Sequence, residues 1–207
     1  ELWLVYRACT LLSAADQAPL AVEGAAGPVG ALDAPPLSVL VNISGWQLKD
    51  PDFSTHVFEL MERHQVPPRR LMFALSSEGL GEVRDAPLTL TRRLLERGIR
   101  FALHGSAESV FTALNRAEGI PIDLVVLDAD EVSQLPQDPQ ATERARLALL
   151  SAKGMGVPVM ASGVLSNEAR EWLTTQGCRL GAGAVFNAPV PAEQVPGWLV
   201  QQGVPVR

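Results

Sequence analysis

Short apolar segments alternate with amphipathic helical segments along most of the chain, and this alternation constrains the fold more than any other feature. The apolar segments are short and contain β-branched residues, as is typical of strands buried on both faces. They lie at 37–43, 71–75, 99–103, 124–127, 158–161 and 183–186. Helical spacing predicts helices at 2–15, 52–64, 88–97, 109–117, 142–153, 167–176 and 192–202.

Strand and helix follow each other with short connections, which predicts an α/β fold with a parallel sheet, either a barrel or a doubly wound sheet. Gly98 follows one of the predicted helices, and a residue without Cβ often ends a helix in the left-handed conformation. The 207 residues suffice for one sizeable core, so we expect a single domain over 1–207. Segment 18–36 is rich in Ala, Gly and Pro without any period, which predicts a loop or linker.

Composition narrows the possible partners and locations. The net charge is -6 and the Lys and Arg residues are scattered, which argues against a nucleic-acid groove. No window approaches the ~18 uninterrupted apolar residues of a membrane span. Cys9 and Cys178 have apolar neighbours and no metal-type or redox-type spacing, so we expect buried free thiols and a cytoplasmic location.

Reactive groups of parallel α/β folds lie where the strands end and the βα connections begin. The residues at these positions are Asn42, Ser76, Ser77, His104, Asp128, Ser162, Gly163, Ala182 and Gly183. This set contains one carboxylate, whereas Mg²⁺ or Ca²⁺ takes several oxygen ligands. No Gly-x-Ser-x-Gly elbow accompanies the serines, which are more typical of turns and helix caps. From the residues alone we therefore expect no metal site, no cofactor and no catalytic residue.

Six ordered segments of the chain carry a resemblance to a known family. The first is LSVLVNISGWQLKDPDF at 37–53. The others are PPRRLMFALSSE at 67–78, GIRFALHGS at 98–106, PIDLVVLD at 121–128, VPVMASGVL at 157–165 and GCRLGAGAVFNAP at 177–189. Together they resemble the EAL cyclic-di-GMP phosphodiesterase family, and the first is similar to the segment that carries the family's asparagine. The resemblance implies a TIM-barrel-like EAL fold. The opening residues 2–9 resemble the helix after the Glu-Ala-Leu segment, so the fold would lack the first two family strands.

Family members hydrolyse one phosphodiester of cyclic di-GMP with Mg²⁺ or Mn²⁺ held by acidic and amide groups. Asn42 matches the amide ligand and Asp128 matches the late strand aspartate. The other functional positions of the family carry Ser77 for a glutamate, His104 and Gly105 for two aspartates, Val126 for the lysine, Ser162 and Leu165 for two glutamates, and Ala182 for the glutamine. The resemblance thus predicts a degenerate domain that is not an enzyme.

Three functions remain open at this point. The first is a catalytically inactive regulatory domain that contacts another protein, or other domains of a larger signalling protein. The second is a receptor that binds cyclic di-GMP without a metal, in a pocket formed by Asn42, Ser77, His104, Asp128 and Ser162. The third is residual phosphodiesterase activity around His104 and Asp128.

Overall fold

A computed structural model of the protein describes residues 2–17, 37–77, 88–116 and 120–202. The predicted loop at 18–36 lies outside these residues. The helices of the described part are α1 Leu2–Gln17, α2 Phe53–His64, α3 Leu88–Glu96, α4 Ala107–Arg116, α5 Ala129–Val132, α6 Pro139–Gly154, α7 Asn167–Thr175 and α8 Val195–Gln201. The strands are β1 Val39–Ile43, β2 Leu71–Ser76, β3 Arg100–Gly105, β4 Leu124–Leu127, β5 Val159–Ser162 and β6 Leu180–Ala182.

The strands form one parallel sheet in the order β1-β2-β3-β4-β5-β6. Chain order and spatial order coincide, so each strand lies beside the strand that precedes it in the sequence. This arrangement confirms the parallel α/β sheet predicted from the alternation of strands and helices. Gly98 has a φ of +91°, as expected for a glycine that ends a helix.

One face of the sheet is covered by helices, and we call it the helix-facing side. Register places one row of large apolar residues across this side: Ile43, Leu75, Leu103, Val125 and Val159. These residues are buried in two clusters with residues of the surrounding helices. Burial of this row under the helices removes apolar surface from water and so stabilises the fold.

The other face of the sheet, which we call the open face, carries a thinner apolar cluster. Its members are Leu40, Met72, Ala74, Ala102, Leu124, Val126 and Met160. Because side chains alternate along a strand, these residues share their face with every second residue up to the carboxyl ends. The open face therefore passes from apolar in the middle to polar at the edge where the strands end.

The sixth strand was predicted wrongly at 183–186, because the chain there forms a turn. Gly183 has a φ of +152°, and a Cβ on it would lie 2.3 Å from the backbone N and O of Val164. The N–H of Phe186 donates to the carbonyl of Gly183 at 3.0 Å, and the Phe186 ring packs over Gly181. The apolar residues of this segment thus belong to a tight turn that follows β6.

The other predicted boundaries differ from the observed ones by a few residues. The largest shifts at a helix start are in α8, which begins at Val195 rather than at 192, and in α6, which begins at Pro139 rather than at 142. Asp138 caps this helix by accepting from the N–H groups of Gln140 at 2.7 Å and Ala141 at 3.2 Å, and proline suits a first helical turn. None of the helices in the described ranges combines the length and apolar character needed to cross a membrane.

Candidate functional site

The carboxyl ends of the strands lie along one edge of the sheet, which we call the mouth. Ser76 of β2 lies beside His104 of β3, and His104 lies beside Val126 of β4. Ser162 of β5 lies beside Ala182 of β6. Alternation places Asn42, His104 and Ser162 on the open face, because each is two residues beyond a member of its apolar cluster.

His104 and Asp128 form a close polar pair at the mouth. The Nε2 atom of His104 lies 2.5 Å from Oδ1 of Asp128, and the two side chains are 37% and 33% exposed. Asp128 directly follows β4, and its N–H donates to the carbonyl of Gly105 at 3.1 Å. The backbone bond fixes the carboxylate beside the imidazole, while solvent and small ligands can still reach both groups.

Ser77 does not join the other predicted pocket residues. A Cβ placed on Gly105 would lie 2.6 Å from Oγ of Ser77 and 2.7 Å from Oγ of Ser109. Gly105 alternates with Leu103, so its Cβ direction points to the helix-facing side. The hydroxyl of Ser77 therefore lies near the start of α4, away from the face that carries Asn42, His104 and Ser162.

A glycine after β5 lets two of the connections at the mouth approach closely. Gly163 has a φ of +72°, and a Cβ on it would lie only 2.4 Å from Cβ of Ala129. Ser162 and Asp128 immediately precede these two residues. The close approach of Gly163 and Ala129 therefore holds Ser162 and Asp128 on neighbouring strand ends.

Glu131 lies in α5, close to the mouth, and the sequence analysis did not identify it. It is buried, and its Oε2 accepts from the N–H of Ala107 at 2.6 Å while its Oε1 accepts from Nε of Arg144 at 2.8 Å. The hydrogen bond that Arg144 donates to Glu131 raises the pKa of the Arg144 guanidinium, which is charged in any case. The three residues tie α5 and α6 to the first residue of α4. In the sequence Glu131 is an acidic residue three positions after Asp128, and acidic residues are mostly solvent-exposed, so the pattern did not indicate a buried role.

The described donors do not fit a divalent cation by themselves. Among the described residues, no three His, Cys, Asp or Glu side chains gather where they could hold a metal ion. The mouth offers the amide of Asn42 and the carboxylate of Asp128, which is paired with His104, whereas Mg²⁺ takes several oxygen ligands. The sequence between Ser77 and Leu88, outside the described ranges, adds Glu78, Glu82 and Asp85.

The fold and the mouth together define a class of protein. Six parallel strands, helices on one face and polar groups at the strand ends form an α/β half-barrel, in which ligand sites lie at the carboxyl ends. The sequence model of the EAL domain matches residues 21–189. The chain therefore belongs to the EAL domain family, as the six sequence segments predicted.

Curated relatives cover most of this chain but extend well beyond it. An uncharacterized signaling protein of Caulobacter vibrioides is 27% identical over 163 residues, which are 79% of this chain and 20% of that protein. The cyclic di-GMP phosphodiesterase RocR of Pseudomonas aeruginosa is 23% identical over 158 residues, 76% of this chain and 40% of that protein. The chain thus spans between a fifth and two fifths of the length of these relatives.

A solved structure confirms the fold. The EAL enzyme Bd1971, in a form with cAMP and cyclic di-GMP bound, has a TM-score of 0.77 and 20% identity. The likeness covers 95% of this chain and 50% of that chain. The predicted TIM-barrel-like EAL fold is therefore confirmed, as a half-barrel of six strands in the described residues.

The prediction that the chain is not an enzyme is wrong. The family match is joined by a relative named as a cyclic di-GMP phosphodiesterase and by a structural neighbour described as an EAL enzyme, and none of these findings shows degeneracy. The prediction rested on the replacement of single motif positions. Its physical weakness is that acidic residues in a connection can stand in for lost ones, and Glu78, Glu82 and Asp85 follow β2 directly in the sequence.

Proposed function

We propose that this chain is a regulatory EAL domain of cyclic-di-GMP signalling that binds cyclic di-GMP at the mouth, through Asn42, His104, Asp128 and Ser162. The observation that supports this proposal most is the His104–Asp128 pair, which is fixed at 2.5 Å and stays accessible on the open face. The ligand is suggested by the name of RocR and by the cyclic di-GMP in the Bd1971 structure.

The chemistry of the four groups matches the ligand. Cyclic di-GMP has two anionic phosphates, and imidazole N–H and serine O–H groups donate hydrogen bonds to phosphate oxygens. Guanine presents N–H donors and a carbonyl acceptor, which a carboxylate and an amide can recognise in complementary fashion. His104 and Ser162 thus suit the phosphates, whereas Asp128 and Asn42 suit the guanine edges.

Calorimetric titration of cyclic di-GMP tests this proposal, once in EDTA and once with Mg²⁺. We expect binding in both buffers, and a loss of affinity of about tenfold or more in His104→Ala, because a hydrogen bond to a charged group is worth roughly 1.5–3 kcal/mol. Ser77→Ala is the matched control, since its hydroxyl lies on the helix-facing side and its loss should leave the affinity unchanged. Absence of binding to the unmodified chain, or equal affinities of the chain and His104→Ala, would contradict the proposal.

A second candidate function is hydrolysis of cyclic di-GMP, favoured by the names of RocR and of the EAL enzyme Bd1971. In the His104–Asp128 pair a carboxylate orients an imidazole, an arrangement that general-base catalysis uses. Chromatography of the products, with Mg²⁺ and with Mn²⁺, tests this candidate. Turnover by the unmodified chain that is lost in Asp128→Asn would establish hydrolysis, and absence of a linear dinucleotide product would remove it.

We also propose that residues 1–207 form one domain of a larger cytoplasmic signalling protein, whose other domains or a protein partner receive its signal. This proposal is supported by the small share of the relatives' length that the chain covers. One cooperative unfolding transition, seen alike by near-UV and far-UV circular dichroism, is expected for a single domain. Two separate transitions would contradict it.

A further inference from the structure

An exposed tryptophan stands beside the mouth, in the connection between β1 and α2. Trp46 is 70% exposed and comes three residues after Ile43, the last residue of β1. Tryptophan is enriched at binding surfaces, because its large apolar ring is stabilised when it leaves water and its N–H can still donate, so an exposed indole near the mouth is available for ligand contact.

The connection that carries Trp46 is well ordered. Leu48, two residues later, is fully buried in the core under α2. The N–H of Ser44 donates to Oε1 of Gln47 at 2.6 Å, and the N–H of Lys49 donates to the carbonyl of Trp46 at 3.0 Å. The indole is therefore presented from a fixed turn, so little conformational entropy is lost when a ligand binds to it.

A cation accompanies the indole ring on the same turn. The Nζ atom of Lys49 lies 4.7 Å from the ring centroid of Trp46. A flat aromatic surface beside a positive charge is the combination with which proteins bind nucleotides, since the ring stacks against a base and the cation attracts a phosphate. The chemical class that this surface fits is a purine nucleotide.

The other highly exposed tryptophan lies elsewhere. Trp3 is 65% exposed on α1, and Arg7 lies 5.7 Å from its ring. One turn along α1, the ring of Tyr6 contacts His64 in the last turn of α2, which leads to the start of β2. Trp3 thus lies toward the amino ends of the strands, away from the mouth. It is therefore a matched control for Trp46.

We propose that Trp46 stacks against one guanine base of cyclic di-GMP bound at the mouth, and that Lys49 contacts a phosphate of the same ligand. This inference rests on the proposed binding of cyclic di-GMP. It extends the site from β3, β4 and β5 across to the connection after β1, beside Asn42. Trp46 then selects for a flat base, while the groups on the open face hold the phosphates and the base edges.

Calorimetric titration with cyclic di-GMP tests the inference on the unmodified whole chain, Trp46→Ala, Trp46→Phe and Trp3→Ala. We expect the Kd to rise about ten- to a hundredfold in Trp46→Ala, because stacking on an aromatic side chain is typically worth that much. Trp46→Phe should recover most of the affinity, and Trp3→Ala should bind like the unmodified chain. Tryptophan fluorescence should be quenched by the ligand in the unmodified chain and much less in Trp46→Phe.

The outcomes separate this inference from the function on which it rests. Binding by the unmodified chain with the same Kd in Trp46→Ala would overturn the stacking role and leave the proposed function standing. Absence of binding to the unmodified chain would overturn both. Circular dichroism of Trp46→Ala should match that of the unmodified chain, since the side chain is exposed, so a lower affinity would report on the ligand contact.

Discussion

The two faces of the sheet, built from the same six strands, differ in what they contribute. The helix-facing side carries Phe73 and Phe101, both fully buried and with ring centroids 6.2 Å apart. On the open face, the next residues along the same two strands are Ala74 and Ala102. The row nearest the mouth contains His104. Apolar bulk on one side indicates that the helix-facing side supplies stability, whereas the small and polar groups on the other side are where we propose that the ligand binds.

The largest expected effect comes from a ring on the helix-facing side. Phe101→Ala should lower the free energy of unfolding by about 3–5 kcal/mol, because it removes a fully buried ring and leaves a cavity in close-packed surroundings. Urea denaturation measures this loss. Leu180→Ala is the control, since Leu180 is about half exposed on β6 and should cost far less. A loss below about 1 kcal/mol in Phe101→Ala would break the contrast between the faces.

The second effect compares two Glu–Arg pairs that both involve α6. Glu131→Ala should cost about 2–3 kcal/mol, because it deprives the Ala107 N–H and Arg144 of a buried carboxylate. Glu143→Ala removes the surface pair with Arg146, and should cost much less, because solvent screens an exposed ion pair. Denaturation curves of the two variants side by side measure the difference. Equal losses would show that the buried carboxylate does not hold α4 in place.

The third effect is a pH dependence of stability that arises from Cys9 in the helical layer. Burial raises the pKa of the Cys9 thiol from 9.0 to about 11. Between these two values the unfolded chain has lost the proton while the folded chain keeps it, so the free energy of unfolding falls as pH rises. Denaturation at pH 8.5 and pH 10.5 should show this fall, of roughly 1–2 kcal/mol from this thiol. Cys9→Ala should reduce it, and an unchanged pH dependence in that variant would contradict the assignment.

The smallest expected effect on stability is at the mouth. His104→Ala should change the free energy of unfolding by less than about 0.5–1 kcal/mol, because both members of the pair with Asp128 are a third exposed. Urea denaturation of this variant and of Phe101→Ala compares what the two faces contribute to the free energy of unfolding. A loss above about 2 kcal/mol would mean that His104 serves the fold rather than a ligand.

Much of the fold could be predicted, because local sequence pattern decides most of it. The run at 124–127 coincides with β4, because four consecutive apolar residues with β-branched members are typical of a strand buried on both faces. The turn at Gly183 could not be predicted in the same way, because the close approach of the Val164 backbone is a contact between distant parts of the chain. The Ala, Val and Phe residues that follow Gly183 are residue types common in strands, but they form a turn.

The site was predictable in outline only. Parallel strands bring their carboxyl ends to one edge, so the proximity of His104 and Asp128 follows from their positions at the end of β3 and directly after β4. The direction of Ser77 does not follow, because it stands one residue beyond the last residue of β2, where alternation no longer fixes the side chain. Glu131 was missed because its partner Arg144 is thirteen residues away and meets it only in the folded chain.

We propose above all that the mouth on the open face binds cyclic di-GMP. The dissociation constant of cyclic di-GMP decides this when it is measured for the unmodified chain and for His104→Ala, in the same buffer and with the unfolding free energy of each protein known. We expect binding to be weaker by about tenfold or more in a variant that is almost as stable as the unmodified chain. Equal affinity in the two proteins, or no binding to either, would contradict it.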